Sequence, residues 1–231
     1  MGLKRLRISG RNTAMLFCRK YACFRPLTYI RGYAMTHPTG RIADHAIAPV
    51  FLDRWSPRAF TGEAMPQTTL LSLFEAARWA PSAANGQPWR FIYGHRGTPA
   101  FDAIYDALDD GNRRWADKAS VLVVIVSQTH RKSGDGEMRP AYTHAFDTGA
   151  AWAYFALQAI HAGYHAHGMG GIDRARLMEV LGIPDGFRVE AAAAIGKIAP
   201  KEILPEDLMK REVPSTRKPV AEFVSEGRFT A

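Results

Sequence analysis

The predicted elements run helix, helix, strand, helix, strand, helix, helix, strand. That order points to an α+β domain with a central, mostly antiparallel sheet flanked by helices. Strict alternation, the mark of a doubly wound parallel sheet, is missing. Two stretches anchor the reading. Val121 to Val126 is a continuous apolar run rich in β-branched residues, as expected of a central strand buried on both faces. Residues 143–162 carry Phe146, Ala150, Ala153, Leu157 and Ile160 at helical spacing, and Ala151, Trp152, Tyr154, Phe155 and Ala156 fill much of the remaining surface. A helix apolar nearly all round is covered on more than one side, and in a domain this small a second subunit is the expected cover.

The other elements follow in chain order. Residues 41–51 read as a short helix ending before Asp53-Arg54. Pro66 opens a second helix, with Leu70, Leu71, Phe74 and Ala77 at helical spacing up to Pro81. Trp89 to Tyr93 reads as a strand. Thr98 is placed to cap a helix through Leu108. Residues 127–140 are polar and contain glycine, and read as a loop. Asp173 caps a helix through Leu181 that Gly182 ends. Residues 188–198 form an alanine-rich strand, and the tail after Pro200, with three further prolines, is expected to wrap over a surface.

The chain has 231 residues, enough for one domain with a well-buried core. No apolar run reaches the length of a membrane span. The formal charge of +8 suggests a nucleic-acid partner until it is located. Residues 1–34 hold eight of the 30 basic residues and no acid, so 22 basic residues face 22 acidic ones over the rest. A nucleic-acid role is therefore not expected of the folded part. Both cysteines, Cys18 and Cys23, also lie in this leader, which excludes thiol chemistry from the rest. The leader reads as an extension outside the working domain, with Met35 as the natural start. Its arginine content also fits an organelle-targeting peptide, against which its poverty in serine counts. One domain over 36–231, cytoplasmic unless the leader acts as a targeting peptide, is the expectation.

Four stretches carry chemistry. Arg54-Trp55-Ser56-Pro57-Arg58 sets two guanidinium groups and a hydroxyl in one turn, and arginine forks match phosphate oxygens; a solvated turn is the plainer reading. Pro81-Ser82-Ala83-Ala84-Asn85-Gly86-Gln87-Pro88-Trp89 joins a helix to a strand. Its small residues would let backbone amides approach a flat ligand, beyond what an ordinary turn needs. Gly168-Met169-Gly170-Gly171 would free backbone N–H groups to face a ring system, or simply make a tight connection; its spacing is not a dinucleotide fingerprint. Ser215-Thr216-Arg217-Lys218 adds a basic cluster near the C-terminus.

Together these stretches, spanning roughly 45–225, resemble the nitroreductase family of flavoproteins. The resemblance implies FMN bound where two subunits of a homodimer meet, in an intertwined arrangement. It implies that Arg54, Trp55, Ser56 and Arg58 form the first flavin-contacting turn, and that Arg54, Arg58 and Arg217 hold the phosphate. Pro81, Ser82, Ala83 and Asn85 match the loop beside the isoalloxazine ring, supplied by the other subunit. Asn112 falls where the family often has an amide near the pyrimidine edge. Gly168, Gly170 and Gly171 match the stretch whose backbone approaches the ring. Trp55, Trp115, Gly170 and Ser215 depart from residues common in the family. The departures bear on nicotinamide preference and substrate more than on FMN, and Ser215 is kept with the cofactor-binding set.

The implied activity is two-electron, ping-pong transfer from NADH or NADPH through FMN to a nitro compound, a quinone or another small-molecule acceptor. The flavin carries the chemistry, and no protein general acid is named. A specialised flavin protein without general reductase activity is the competing expectation. His161, His165 and His167 cluster, with the first two read as one helical turn apart, a spacing that suits a metal. Gly163 intervenes and only Asp173 is acidic nearby, so pocket-lining or surface histidines are expected instead. No Gly-x-Ser-x-Gly elbow or phosphate loop is present, which argues against hydrolase and NTPase chemistry.

Overall fold

A computed structural model describes residues 38–229; the basic leader, with its expected start at Met35, lies outside the described residues. Four strands form one sheet in the order β1-β2-β6-β5, and every neighbouring pair is antiparallel. They are β1 (Trp89–His95), β2 (Val121–Gln128), β5 (His165–Met169) and β6 (Phe187–Gly196). The run at 121–126 is the central strand expected, buried along its length. Its pleat sends alternate side chains to opposite faces. Leu122, Val124 and Val126 join one core, with Phe101 and Ile104 of α3 (Pro99–Tyr105), Trp115 of α4 (Asp110–Ala116) and Leu177 of α6 (Arg174–Val180). Val121, Val123 and Ile125 join the other, with Leu70, Leu73 and Ala77 of α2 (Gln67–Arg78) and Ala151, Phe155 and Ala159 of α5 (His144–His161). The result is a mixed, open α+β layer with helices on both faces of the sheet.

The alanines of β6 are part of this arrangement. Ala192, Ala193 and Ala194 are fully buried, and their small side chains let helices approach the sheet from either side. Gly196 ends the strand where a side chain is impossible, because the Phe60 ring occupies the place a Cβ would take. Phe60 bridges to Ile198, and Thr61 N–H and Ala199 N–H bond to the carbonyls of Lys197 and Ala59. This short ladder fixes the segment carrying Arg54 to Arg58 against the end of β6.

Several expectations are corrected. The helix expected over 41–51 shrinks to one turn, α1 (Val50–Asp53), because Ile42 and Ile47 remain exposed and so bury no helical face, and Pro49 has no N–H to continue a helix across it. The expected loop at 127–140 contains a hairpin of β3 (His130–Lys132) and β4 (Met138–Pro140), whose exposed polar strands carry no alternating pattern to read. α4 was not expected: seven polar-rich residues hide a helix capped by Asp109, whose side chain accepts the Asn112 N–H. β5 was read as part of a connection, since its two histidines and glycine are weak strand formers. The tail contains one further helix, α7 (Glu206–Met209).

α5 has two apolar sides. Asp147, Thr148, Ala151, Phe155, Ala156 and Ala159 face inward. Of the stripe noted in the sequence, Phe146, 81% exposed, and Ala153 face outward, while Ala150, Leu157 and Ile160 are half-buried.

Candidate functional site

Arg41, Arg54 and Arg217 meet although 176 positions separate the first from the last. Arg41 is 8% exposed. Its Nε donates to the Ser215 carbonyl at 3.0 Å, and its Nη1 donates to the carbonyls of Leu52 and Arg54 at 3.1 and 2.6 Å. The Arg54 guanidinium reaches Ser56 Oγ at 3.4 Å, and Arg217 donates to Ser215 Oγ at 2.8 Å. Burial, and then the charge of Arg217, lowers the Arg54 pKa below its ordinary value; Arg41 is lowered by burial, then by Arg217 and Arg54. Among the described residues no carboxylate forms an ion pair with any of the three. Like charges brought together without a counter-ion make a place for an anion.

Arg58 behaves differently. Its guanidinium lies 3.7 Å from Glu212 Oε2. The other Glu212 oxygen accepts the backbone N–H groups of Arg58 and Ala59 at 2.6 and 2.9 Å. Glu212 is 7% exposed and fixes the end of the turn, with Oε2 making no hydrogen bond among the described residues.

The turn packs on β5. Trp55 stands edge-on to His165 at 6.4 Å between ring centres. His167 Nδ1 lies 2.9 Å from the Pro57 carbonyl, to which it donates when protonated there, and its ring lies 4.6 Å from Trp115. Burial, then Arg54, holds the His165 pKa down to about 4; burial does the same for His167, opposed by the Pro57 carbonyl and helped by Arg58. The histidines share one face of β5 at alternate positions. They are not a helical pair with His161, because α5 stops at His161 and Gly163 turns the chain at φ +77°. No group of three metal-binding side chains occurs among the described residues.

These two imidazoles give the fold an acid limit. Their folded pKa values lie below the unfolded value near 6.5, so the unfolded chain binds the extra protons as pH falls. Stability is complete above about 6.5 and falls down to about 4, at a slope of up to ~1.4 kcal/mol per pH unit for each histidine. We expect the melting temperature to drop between pH 7 and 5, and the His165→Gln/His167→Asn double variant to drop less. An equal drop in both proteins would contradict this assignment.

The glycine stretch closes the same side of the domain. Asn112 Nδ2 donates to the Gly171 carbonyl at 3.1 Å, and Asp109 N–H donates to it at 3.0 Å. A side chain at Gly171 would run into the Asp109 carboxylate, and one at Gly168 would press on Trp152 at 3.2 Å. Gly168 is therefore a strand residue of β5 under an indole, while Gly170 is open.

The loop 81–88 stands elsewhere. Ala84, Asn85 and Gln87 have φ of 49°, 53° and 45°, a left-handed region costly for residues with a side chain. Ser82 Oγ accepts the Gln87 N–H at 3.1 Å, and Asp147, buried in the first turn of α5, accepts the Ala83 N–H at 3.2 Å. Three residues at positive φ within four positions hold the loop in a defined shape. Among the described residues its bonds run within the loop, to α5, and to β1 and β2, whose Arg90 guanidinium and Gln128 N–H donate to the Gln87 and Pro88 carbonyls at 3.1 and 2.8 Å; none joins it to the arginine cluster. Ala83 and Gly86 line a pocket of about 170 Å³ with Gln128, Arg131, His144 and Asp147.

Sequence reasoning missed Arg41 and Glu212, which hold the segments carrying Arg54, Arg58 and Arg217, and a polar group behind the pocket. Ser127, fully buried, donates to Glu190 at 2.5 Å and lies 2.7 Å from His144 Nδ1. Glu190 sits where β6 slips register against β2, and Arg188 forks onto it. The bulge aims this carboxylate across the sheet. Only the acid in a strand whose one other charged residue is Arg188 signalled it.

Known proteins are similar to this chain in sequence and fold. The profile described as Nitroreductase family matches residues 52–97 and 95–197, a span that includes the first arginine turn, the strained loop and the glycine stretch. An oxidoreductase whose crystal structure contains FMN is 52% identical, with a TM-score of 0.82, over 85% of this chain and 99% of that one. A provisionally named nitroreductase from Desulfovibrio desulfuricans, solved with FMN, is 25% identical with a TM-score of 0.62, over 80% of this chain and 100% of that one. A Streptomyces coelicolor protein provisionally named NADH dehydrogenase/NAD(P)H nitroreductase is 35% identical over 92 residues, 40% of this chain. The match spans 45% of that relative's length.

Proposed function

The chain belongs to the nitroreductase family, and on that premise we propose that it is an FMN-dependent oxidoreductase. It would pass two electrons from NADH or NADPH to a nitro compound, a quinone or another small reducible molecule. The observation that carries this reading is the cluster of Arg41, Arg54 and Arg217 beside β5, none of which forms an ion pair with a carboxylate among the described residues. A ribityl phosphate supplies the missing charge, and the donor set suits it: two guanidinium groups and the hydroxyls of Ser56 and Ser215.

FMN, when bound, supplies the chemistry by taking a hydride from the nicotinamide and releasing electrons to the acceptor. The protein's part is to bind, orient and exclude. Arg54 and Arg217 would hold the phosphate. Arg58 would close the turn from its seat on Glu212, and Trp55 would shelter it. The neutral imidazoles of His165 and His167 keep β5 from adding further positive charge. The segment 168–171, tied by Asn112, would place backbone groups along the ring.

Pro81, Ser82, Ala83 and Asn85 would serve the ring of a second copy. Two features support a homodimer: the loop is strained yet unattached to the arginine cluster, and the outward side of α5 leaves Phe146 and Ala153 bare. Tyr142, 92% exposed, stands just before α5, and Trp79, 69% exposed, stands at the end of α2, which packs on α5. No described helix is long and apolar enough to cross a membrane.

Steady-state oxidation of NADH or NADPH with a quinone acceptor tests the activity. Acceptor-dependent turnover with parallel double-reciprocal lines is expected, since donor and acceptor take turns at one site. A flavin-loaded protein that does not turn over would point to a specialised flavin enzyme.

A further inference from the structure

Arg41 spends its hydrogen bonds inward, on backbone carbonyls, and this separates its role from those of its two neighbours. One bond holds the Arg54 carbonyl, a second holds Leu52 at the end of α1, and the third holds Ser215, two residues before Arg217. Two segments 161 positions apart, each carrying a guanidinium, are thereby pinned to one buried side chain. Their charges repel each other, and Arg41 adds a third positive charge to the same place. The contacts that keep Arg54 and Arg217 converged in the absence of an anion include these three bonds. Lysine, with a single ammonium, lacks the planar fork that serves two directions at once.

We propose that Arg41 is a positioning residue for the anion site, setting the distance between Arg54 and Arg217 that a phosphate requires. The proposal rests on the reading that the site takes a ribityl phosphate. Its distinctive consequence is selectivity. A clamp acting through the phosphate site matters for FMN and for inorganic phosphate, and not for riboflavin, which has the same ring and no phosphate. A residue that merely supported the fold would affect both flavins alike.

The test uses the full chain freed of flavin, with Arg41→Lys, which keeps the charge and most of the stem, and Arg41→Met. Fluorescence titration measures FMN and riboflavin affinity, and thermal melts measure protection by inorganic phosphate against chloride at equal ionic strength. Arg41→Lys should weaken FMN binding by about 10-fold or more, the loss of one or two charged hydrogen bonds, with riboflavin affinity within about 2-fold. Phosphate protection should shrink in parallel. Arg41→Met should show the same selectivity with a larger loss. If Arg41→Met does not fold, Arg41→Lys alone decides. Equal losses for both flavins, or unchanged FMN affinity and phosphate protection in Arg41→Lys, would overturn the proposal. A wild-type chain that binds phosphate but not FMN would instead overturn the flavin reading and leave the Arg41 clamp to be judged on phosphate protection.

Discussion

Arg54→Ala and Arg217→Ala are each expected to weaken FMN binding by about 100-fold. A hydrogen bond to a charged group is worth about 1.5–3 kcal/mol, and each 1.4 kcal/mol is tenfold in affinity. Each guanidinium presents a fork to the same anion, so the upper part of that range applies. The flavin-free protein should respond in the opposite direction. Arg54 is lowered in pKa by burial and by Arg217, so in the free protein each of the pair raises the energy of the other. Removing Arg217 should leave the melting temperature of the flavin-free chain unchanged or slightly higher, while removing the benefit that FMN brings. This pairing of weaker binding with undiminished intrinsic stability is the mark of a functional cluster. Titration with FMN and melts with and without it measure both halves. An Arg217→Ala variant that binds FMN normally, or that loses stability without ligand, would place the phosphate elsewhere.

Glu212→Ala should produce the largest loss of stability, about 3–5 kcal/mol, the usual cost of removing one partner of a buried charge pair. Three groups are left behind. The buried N–H of Ala59 and the N–H of Arg58 lose their acceptor, and the Arg58 guanidinium loses its counter-charge. Orphaned donors alone cost about 1–3 kcal/mol each. Glu212→Gln keeps an acceptor for the two N–H groups and should lose less than half as much. Chemical denaturation of the two variants separates these contributions. Equal losses would mean that the charge, and not the two backbone bonds, is what Glu212 supplies. Because the same carboxylate seats the turn of Arg54 to Arg58, Glu212→Ala should also bind FMN more weakly.

The fold was legible where burial writes a period into the sequence. The apolar run at 121–126 and the all-round apolar helix at 144–161 specified the centre of the sheet and the cover of one of its faces. Exposed or polar elements carry no such record. The hairpin at 130–140 and α4 were invisible for that reason, and β5 was disguised because only Ala166 and Met169 are buried in it, beside two half-buried histidines and a glycine. The site shows the same division. Arg54, Arg58, Asn85 and the glycines at 168–171 stand in compact stretches whose resemblance to a family could be read directly. Arg41 and Glu212 stand alone, far from the residues they hold, and only the folded chain brings Arg41 to Ser215. The strain at Ala84, Asn85 and Gln87 was equally hidden, because nothing in residues without glycine's freedom announces a positive φ.

The visible absorbance spectrum of the protein purified from Met35 onward, before and after anaerobic addition of NADH or NADPH, tests the central claim most directly. The account predicts a yellow protein that the nicotinamide bleaches and that a quinone or nitro compound restores. A colourless protein that also fails to take up added FMN would contradict it, and the assignment of Arg54, Arg217 and the loop at 81–88 to a flavin would fall with it.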